Sequence, residues 1–395
     1  MEQHRVDGDR LFADVVRYCE FGDHRTGSEA DLRTVSWLKT RLRDLGFETL
    51  RQPFHVRQFF PRRCRLTVAG ERAEAVPLWF PVATGPRPLV ASLSCFPSDD
   101  FQSGDIALVT FPGGPGGAIR GEHEDLILDA ANAGAVAVVA ISPHPDGEVV
   151  ALNAPGEPEP WPCPVLLIGG KHAPIAQQAS GCGQEVELLL DGEWRDLSAK
   201  NIVGRREGHG PVLVVSTPVS GWFRCGGERG PGIALWLALA EWAAAEDLPC
   251  MFVGTSGHEL GNRGMHAFLR HHAPNPDDVD CWLHLGAGVA AWEWEDGPTC
   301  PQRTGRPDAR RLLMASDDLA DVILPSFAGH PGLDHVSDRA VGEMADVLER
   351  DYRSFGIAGA HRYFHTPADG PEMTGPEILA DAWDAILAAV EAALE

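Results

Sequence analysis

At 395 residues the chain is longer than a single hydrophobic core usually serves, which predicts one large domain and one smaller one. Its 44% hydrophobic and 23% charged content matches soluble globular proteins and excludes a fibrous or disordered class. The formal net charge of -24 excludes nucleic acid and anionic membrane surfaces as partners, because phosphate binding needs clustered Lys and Arg.

The opening Met1-Glu2-Gln3-His4-Arg5-Val6-Asp7 has no apolar run of the secretory kind, and the longest apolar run, Ala133 to Ile141, is too short to span a bilayer. The nine cysteines are odd in number, scattered and free of any C-x-x-C pair, which fits reduced thiols better than a disulfide framework. We therefore expect a cytoplasmic protein.

Leu11 to Tyr18 and Asp31 to Leu45 carry apolar residues at helical spacing, and Gly46 stops the second helix before a strand from Phe47 to Val56. Pro and Gly dominate from Pro81 to Pro88. Short apolar strands follow at Ile106 to Phe111, Val136 to Ile141, Val165 to Ile168 and Val186 to Leu190, with a helix at Asp125 to Ala133. Residues 81-195 read as a small strand-rich domain inserted into a larger one made of 1-80 and 196-395.

Beyond Asn201 strands and helices alternate: strand Val212 to Val215, helix Ile233 to Ala245, strand Cys250 to Val253, helix Gly264 to His271 and strand Val279 to Leu285. This pattern predicts an α/β class with helices on both faces of a sheet.

Six collinear segments carry a resemblance. They are Gly22 to Ser28 with Leu45 to Glu48; Ser103 to Val109 with Ala131 to Val136; Ala199 to Gly204; Gly226 to Gly232; Gly257-His258-Glu259-Leu260-Gly261 with Gly264; and Tyr363-Phe364-His365-Thr366 followed by Asp369. Together they resemble the zinc aminopeptidase family that includes bacterial leucyl aminopeptidases and glutaminyl cyclase, with a protease-associated domain as the insert. The resemblance covers nearly the whole chain. It implies a mostly parallel mixed sheet between helices, with the active site at the carboxyl ends of the strands.

The family's site holds two zinc ions among imidazoles and carboxylates, with a separate Glu as base on the bound water. Here only part of it remains. After Val212 to Val215, where the family has a metal-binding His and an Asp, the chain reads Ser216-Thr217-Pro218-Val219. Glu228 aligns with the bridging Asp. His258-Glu259 aligns with a Glu-Glu pair, so the ligand Glu259 survives while the base becomes His258, whose neutral imidazole is able to accept a proton. His284 stands where a second-site Asp is expected, His365 matches the final ligand, and Gly342-Glu343 lies where relatives carry Ser-Asp.

Two negative charges, from Glu228 and Glu259, balance one Zn²⁺ but not two. The expectation is one zinc per chain on Glu228, Glu259 and His365, with His284 and His258 lining the vacated second site. Trp222, Phe223 and Tyr363 would flank a small-molecule or peptide substrate.

Simpler readings stand beside these. Glu228 next to Arg229 also reads as a loop carboxylate, Cys225 as a buried inert thiol, and His266, His271 and His272 as a solvated helix face. Phe111 to Gly117 lacks the Gly-Lys-Ser/Thr ending of a phosphate loop, and no G-x-S-x-G elbow is present.

Two functions remain open. One is an aminopeptidase-like metalloenzyme acting on a small amide, peptide or amine-bearing substrate by hydrolysis or cyclisation. The other is a catalytically inactive pseudopeptidase that serves as a binding module.

Overall fold

The computed structural model describes residues 6-113, 117-118, 121-156 and 159-395. Residues 1-5 of the opening segment and 114-116 of the glycine loop lie outside them. The chain divides into two compact units: Met1–Val56, Ser198–Phe364 and Asp369–Glu395 form the first, and Arg57–Leu197 with His365–Ala368 the second.

The first unit opens with helices α1 (Gly8–Cys19) and α2 (Glu29–Asp44). The Asp7 side chain accepts the Asp9 N–H and the Ser28 side chain the Asp31 N–H, so each helix starts at a residue suited to satisfying its free donors. Strand β1 (Glu48–Val68) runs on into the second unit and turns at Ala69 and Gly70, both with positive φ, into β2 (Glu71–Pro77). The sequence reading ends this strand at Val56. The outer part, with Arg57, Arg62, Arg63 and Arg65, is an antiparallel hairpin strand with a partly exposed face and has no continuous apolar run.

The second unit continues through β3 (Leu89–Cys95), β4 (Ile106–Thr110), α3 (Gly121–Asn132), β5 (Ala137–Ser142), β6 (Val165–Gly169), α4 (Ala173–Gly181) and β7 (Glu185–Arg206). Its sheet has the order β1-β2-β6-β5-β4-β3-β7. The four inner strands β3 to β6 are parallel, and β2 and β7 add antiparallel edges. Leu93, Ile106, Val139, Leu166 and Ile168 pack with Ala176 and Ala179 of α4 in a core of this unit's own.

Beyond Leu197, β7 belongs to the first unit. There follow β8 (Val212–Pro218), α5 (Gly230–Ala245), β9 (Cys250–Thr255), α6 (Arg263–His271), β10 (Val279–Leu285), the short hairpin β11 (Trp292–Glu295) and β12 (Gln302–Pro307), then β13 (Arg311–Ala315), α7 (Asp317–Ile323), α8 (Glu343–Leu348), β14 (Ser354–Gly359) and α9 (Pro376–Leu394). The sheet order is β7-β9-β8-β10-β14-β13, parallel from β9 to β14 with an antiparallel strand at each edge.

Side chains alternate across these strands and so supply two cores. Leu213, Val215, Phe252, Cys281 and Leu283 pack with α1, α5 and α9, while Val214, Met251, Val253 and Trp282 pack with Met265 and Phe268 of α6 and Met344 and Val347 of α8. Apart from Glu241, which pairs with Arg10 and Arg41, helix α5 is apolar and buried on almost every side, as a central helix must be. The architecture is the expected mostly parallel mixed sheet between helices. Among the described residues no helix is long and apolar enough to cross a membrane.

Candidate active site

In the first unit the residues singled out in the sequence lie at and beyond the carboxyl ends of β8, β9 and β10, the place where open α/β sheets put ligands. At the end of β8 the Ser216 hydroxyl accepts the Trp282 indole N–H at 2.8 Å and lies 2.9 Å from His284 Nδ1. The hydroxyl keeps one lone pair and its own proton for Nδ1, so this contact fits either neutral tautomer of the ring. Burial pushes the His284 pKa down to about 4, so the ring is neutral at pH 7.

The loop after β8 is shaped by its backbone. Cys225 has φ of +52°, and a Cβ at Gly226 would lie 2.1 Å from the Gly370 carbonyl oxygen. Asp369 clamps this loop: its carboxylate accepts the N–H of Gly227 at 2.6 Å and of Glu228 at 3.1 Å. These contacts turn Glu228 into the interior, where its carboxylate meets the Arg229 guanidinium at 2.8 Å with both side chains 1% exposed. Arg229 Nε also donates to the Ser220 carbonyl at 3.1 Å. Burial alone would lower the Arg229 pKa, but the charge of Glu228 carries it above its ordinary value. The guanidinium stays cationic.

After β9, Gly257 and Gly261, both in the left-handed region, bracket a single 3₁₀ turn from His258 to Leu260. This turn buries Glu259, whose two oxygens accept the Thr26 N–H at 2.6 Å and the Ser220 hydroxyl at 2.8 Å. Ser220 Oγ in turn accepts the N–H of Gly257 at 2.9 Å. His258 points the other way, with Nδ1 3.2 Å from the fully buried Glu343 carboxylate, which also accepts the Thr255 hydroxyl at 2.7 Å. Burial alone would raise the Glu343 carboxyl; the His258 hydrogen bond and charge, with His284 and Thr255, hold it below its ordinary value.

His365 lies in the second unit. Its Nδ1 is 3.0 Å from the Ala151 carbonyl, its own carbonyl accepts the Ala151 N–H, and its ring packs on Gly117, where a Cβ would meet it at 2.1 Å. Trp222 is 4% exposed beneath the Arg25 guanidinium, Phe223 is half-buried with its carbonyl accepting the His24 N–H, and Tyr363 stacks edge-on to Trp294. The geometry gives these three aromatics structural partners. Cys225 is buried with its thiol pushed well up, first by burial and then by Glu228.

Sequence reading missed Asp31. It sits at the start of α2, accepts the Gly27 N–H at 2.7 Å and the Ser256 hydroxyl at 3.0 Å, and burial pushes its carboxyl up to about 7. The signal was present as Ser28-Glu29-Ala30-Asp31, a serine cap followed three residues on by an acid. Asn201, which ties Ser256 N–H to Gln52 and to the Gly264 carbonyl, was read only as part of a returning strand.

Whether these residues suit the expected zinc ion follows from their lone pairs and charges. Glu228 already faces a cation, and both Glu259 oxygens accept protein donors. Among the described residues no group of three or more His, Cys, Asp or Glu could hold a metal ion. In this arrangement they do not fit a zinc site: Glu228 is already compensated by Arg229, and the described residues bring no set of three donors together.

No protein-family model and no curated protein sequence matches the chain. Solved structures do match, and they define the class: the chain has the fold of the zinc aminopeptidases and related exopeptidases. It resembles BSAP, a zinc aminopeptidase from Bacillus subtilis, with a TM-score of 0.76 at 17% identity over 97% of this chain and 94% of that one. It also resembles a peptidase M28 precursor from Shewanella amazonensis (TM-score 0.72, 18% identity, 97% and 93% covered) and a glutaminyl cyclase from Porphyromonas gingivalis (TM-score 0.50, 10% identity, 97% of each chain covered).

Proposed function

We propose that the protein is a pseudopeptidase, a binding module on the zinc-aminopeptidase fold that recognises a peptide or amine-bearing small molecule without a catalytic metal. The single observation that supports this is the buried Glu228–Arg229 pair: at the position aligned with the family's bridging carboxylate, a protein-borne cation provides the charge compensation. The protein donors on both Glu259 oxygens agree with it. The insert, residues 81-195 in the sequence, serves in this reading as a protease-associated domain.

The test is the zinc content of purified protein by elemental mass spectrometry, with zinc supplied during growth, together with an assay of amino-acid release from a dipeptide panel. We expect far less than one zinc per chain and no release. About one zinc per chain, lost in Glu259→Ala, with metal-dependent turnover would overturn the proposal in favour of a mononuclear aminopeptidase.

One observation favours a second reading. The partly exposed His258 imidazole is aligned by a buried carboxylate, the arrangement of an acid–base pair. Such a pair would activate water toward an amide or ester carbonyl with no metal. Turnover insensitive to EDTA and abolished in His258→Ala would establish that reading in place of the first.

A further inference from the structure

The first unit buries Glu343 completely, yet among the described residues its one ion-pair partner is the His258 imidazole, which is charged only when it carries a second proton. Arg229 acts on Glu343 from a distance but is already paired with Glu228. A buried carboxylate with no permanent counter-charge is costly, which points to a cation supplied from outside the chain.

The contacts of Glu343 fix what His258 presents to a ligand. One carboxylate oxygen accepts the Thr255 hydroxyl at 2.7 Å and the other lies 3.2 Å from His258 Nδ1. Burial works against ionisation of Glu343, but the His258 hydrogen bond and charge, with His284 and Thr255, hold its carboxyl below the ordinary value, so it is ionised near neutral pH. An ionised carboxylate has no proton to give. Nδ1 must therefore donate, and in the neutral ring the lone pair falls on Nε2.

That nitrogen belongs to the part of the pair that solvent reaches: the His258 side chain is 14% exposed and that of Glu343 is 0%. Gly342 lies along the ring, where a Cβ would stand 3.5 Å from Cε1, the atom bonded to Nε2, and its φ of +59° disfavours any side chain. The glycine leaves this ring edge uncovered. Of the charged groups that act on the neighbouring His284, Glu343 and Asp346 are acids, while the guanidinium of Arg229 is matched by Glu228. The surroundings favour a cationic donor over a neutral one.

We propose that His258 Nε2, with the Glu343 carboxylate behind it, is the recognition site for a protonated primary amine. The ammonium donates one N–H to Nε2 while Nδ1–H donates to Glu343, so the ligand's charge faces the buried carboxylate through the ring. This names the group recognised within the reading of the first unit as a metal-free binding module, and it rests on that reading. An alcohol of the same length makes the hydrogen bond but brings no charge.

The experiment follows the His258 ring nitrogens by nitrogen-15 NMR in the full-length chain after EDTA treatment, at about pH 8, above the ordinary histidine range and below that of an alkylamine. The probe is n-butylamine, the control is n-butanol, and His258→Leu assigns the signals. The expected result is a lone-pair Nε2 signal that shifts saturably with butylamine and not with butanol, and an affinity about tenfold or more weaker in Glu343→Gln. Melting of the variants beside the wild type checks that they fold, and Thr255→Val, which keeps the Glu343 charge, should weaken the amine less than Glu343→Gln does. Equal shifts with amine and alcohol, no shift with the amine, or unchanged affinity in Glu343→Gln would each overturn the inference. Zinc counted in the same batch before EDTA separates it from the reading beneath it: about one zinc per chain overturns the binding-module reading, whereas a zinc-free batch with no amine response overturns the amine site alone.

Discussion

The guanidinium of Arg229 lies 2.8 Å from the carboxylate of its neighbour Glu228, and neither side chain is more than 1% exposed. Consecutive residues in a helix or strand do not usually face each other. They do so here because Cys225 takes a left-handed conformation and Asp369 clamps the following amides. The pair is an internal salt rather than a surface one, and its energetics follow from that.

Breaking the pair on one side leaves a buried, uncompensated charge. Arg229→Met should lower the unfolding free energy by about 3–5 kcal/mol, whereas Glu228→Met/Arg229→Met together should recover most of that loss. Urea denaturation of the two variants beside the wild type measures this. Equal losses in both variants would show that the guanidinium acts through packing instead.

Glu259 is predicted to be structural. Gln in its place keeps one acceptor but presents an NH₂ to a donor, the Thr26 N–H or the Ser220 hydroxyl, so stability should fall by about 1–3 kcal/mol. The zinc content should stay unchanged. Thermal melting and elemental analysis of the same sample separate this outcome from loss of a metal ligand.

Acid stability depends on three buried groups. Burial pushes His24 down to about 3 and His284 to about 4, from 6.5, and pushes Asp31 up to about 7 from 3.8. Between about pH 4 and 6.5 the unfolded chain binds both histidine protons, while the native chain holds the Asp31 proton. Unfolding therefore takes up one net proton from this set, and stability should fall on acidification by roughly 1.4 kcal/mol per pH unit. His24→Asn should flatten that slope in pH-dependent melts. Asp31→Asn should gain on the wild type as pH rises from 4 to 7, because over that range the unfolded chain releases the Asp31 proton while the native chain keeps it.

Gly264 has no space for a side chain: a Cβ would lie 2.0 Å from the Ser256 carbonyl oxygen and 2.4 Å from Asn201 Oδ1. Gly264→Ala should cost about 1–3 kcal/mol by forcing the start of α6 away from the end of β9. A change no larger than Ala causes at the open Gly181, where a Cβ meets nothing within 4 Å, would show that the helix start yields easily.

The tautomer of His284 is directly observable. Nitrogen chemical shifts at pH 7 should report a neutral ring in one dominant tautomer, and Ser216→Ala, which removes the partner of Nδ1, should mix the two tautomers. A doubly protonated wild-type ring at pH 7 would overturn the neutral assignment.

The sequence by itself determined the α/β layering, since Val212 to Val215, Cys250 to Val253 and the largely apolar α5 can be stable only inside a sheet-and-helix sandwich. It also determined the identity of the residues at the carboxyl ends of the strands, because collinear motifs fix their order. What it did not determine was their protonation, partners and orientation. Glu228, Glu259 and His284 read as ligands when counted as charges and imidazoles along the chain. Folding instead brought Arg229, Thr26, Ser220 and Ser216 against them, residues up to 233 positions away. Whether a carboxylate is a ligand or a hydrogen-bond acceptor depends on which donors are within 3 Å in a buried site, and only the tertiary structure sets that distance.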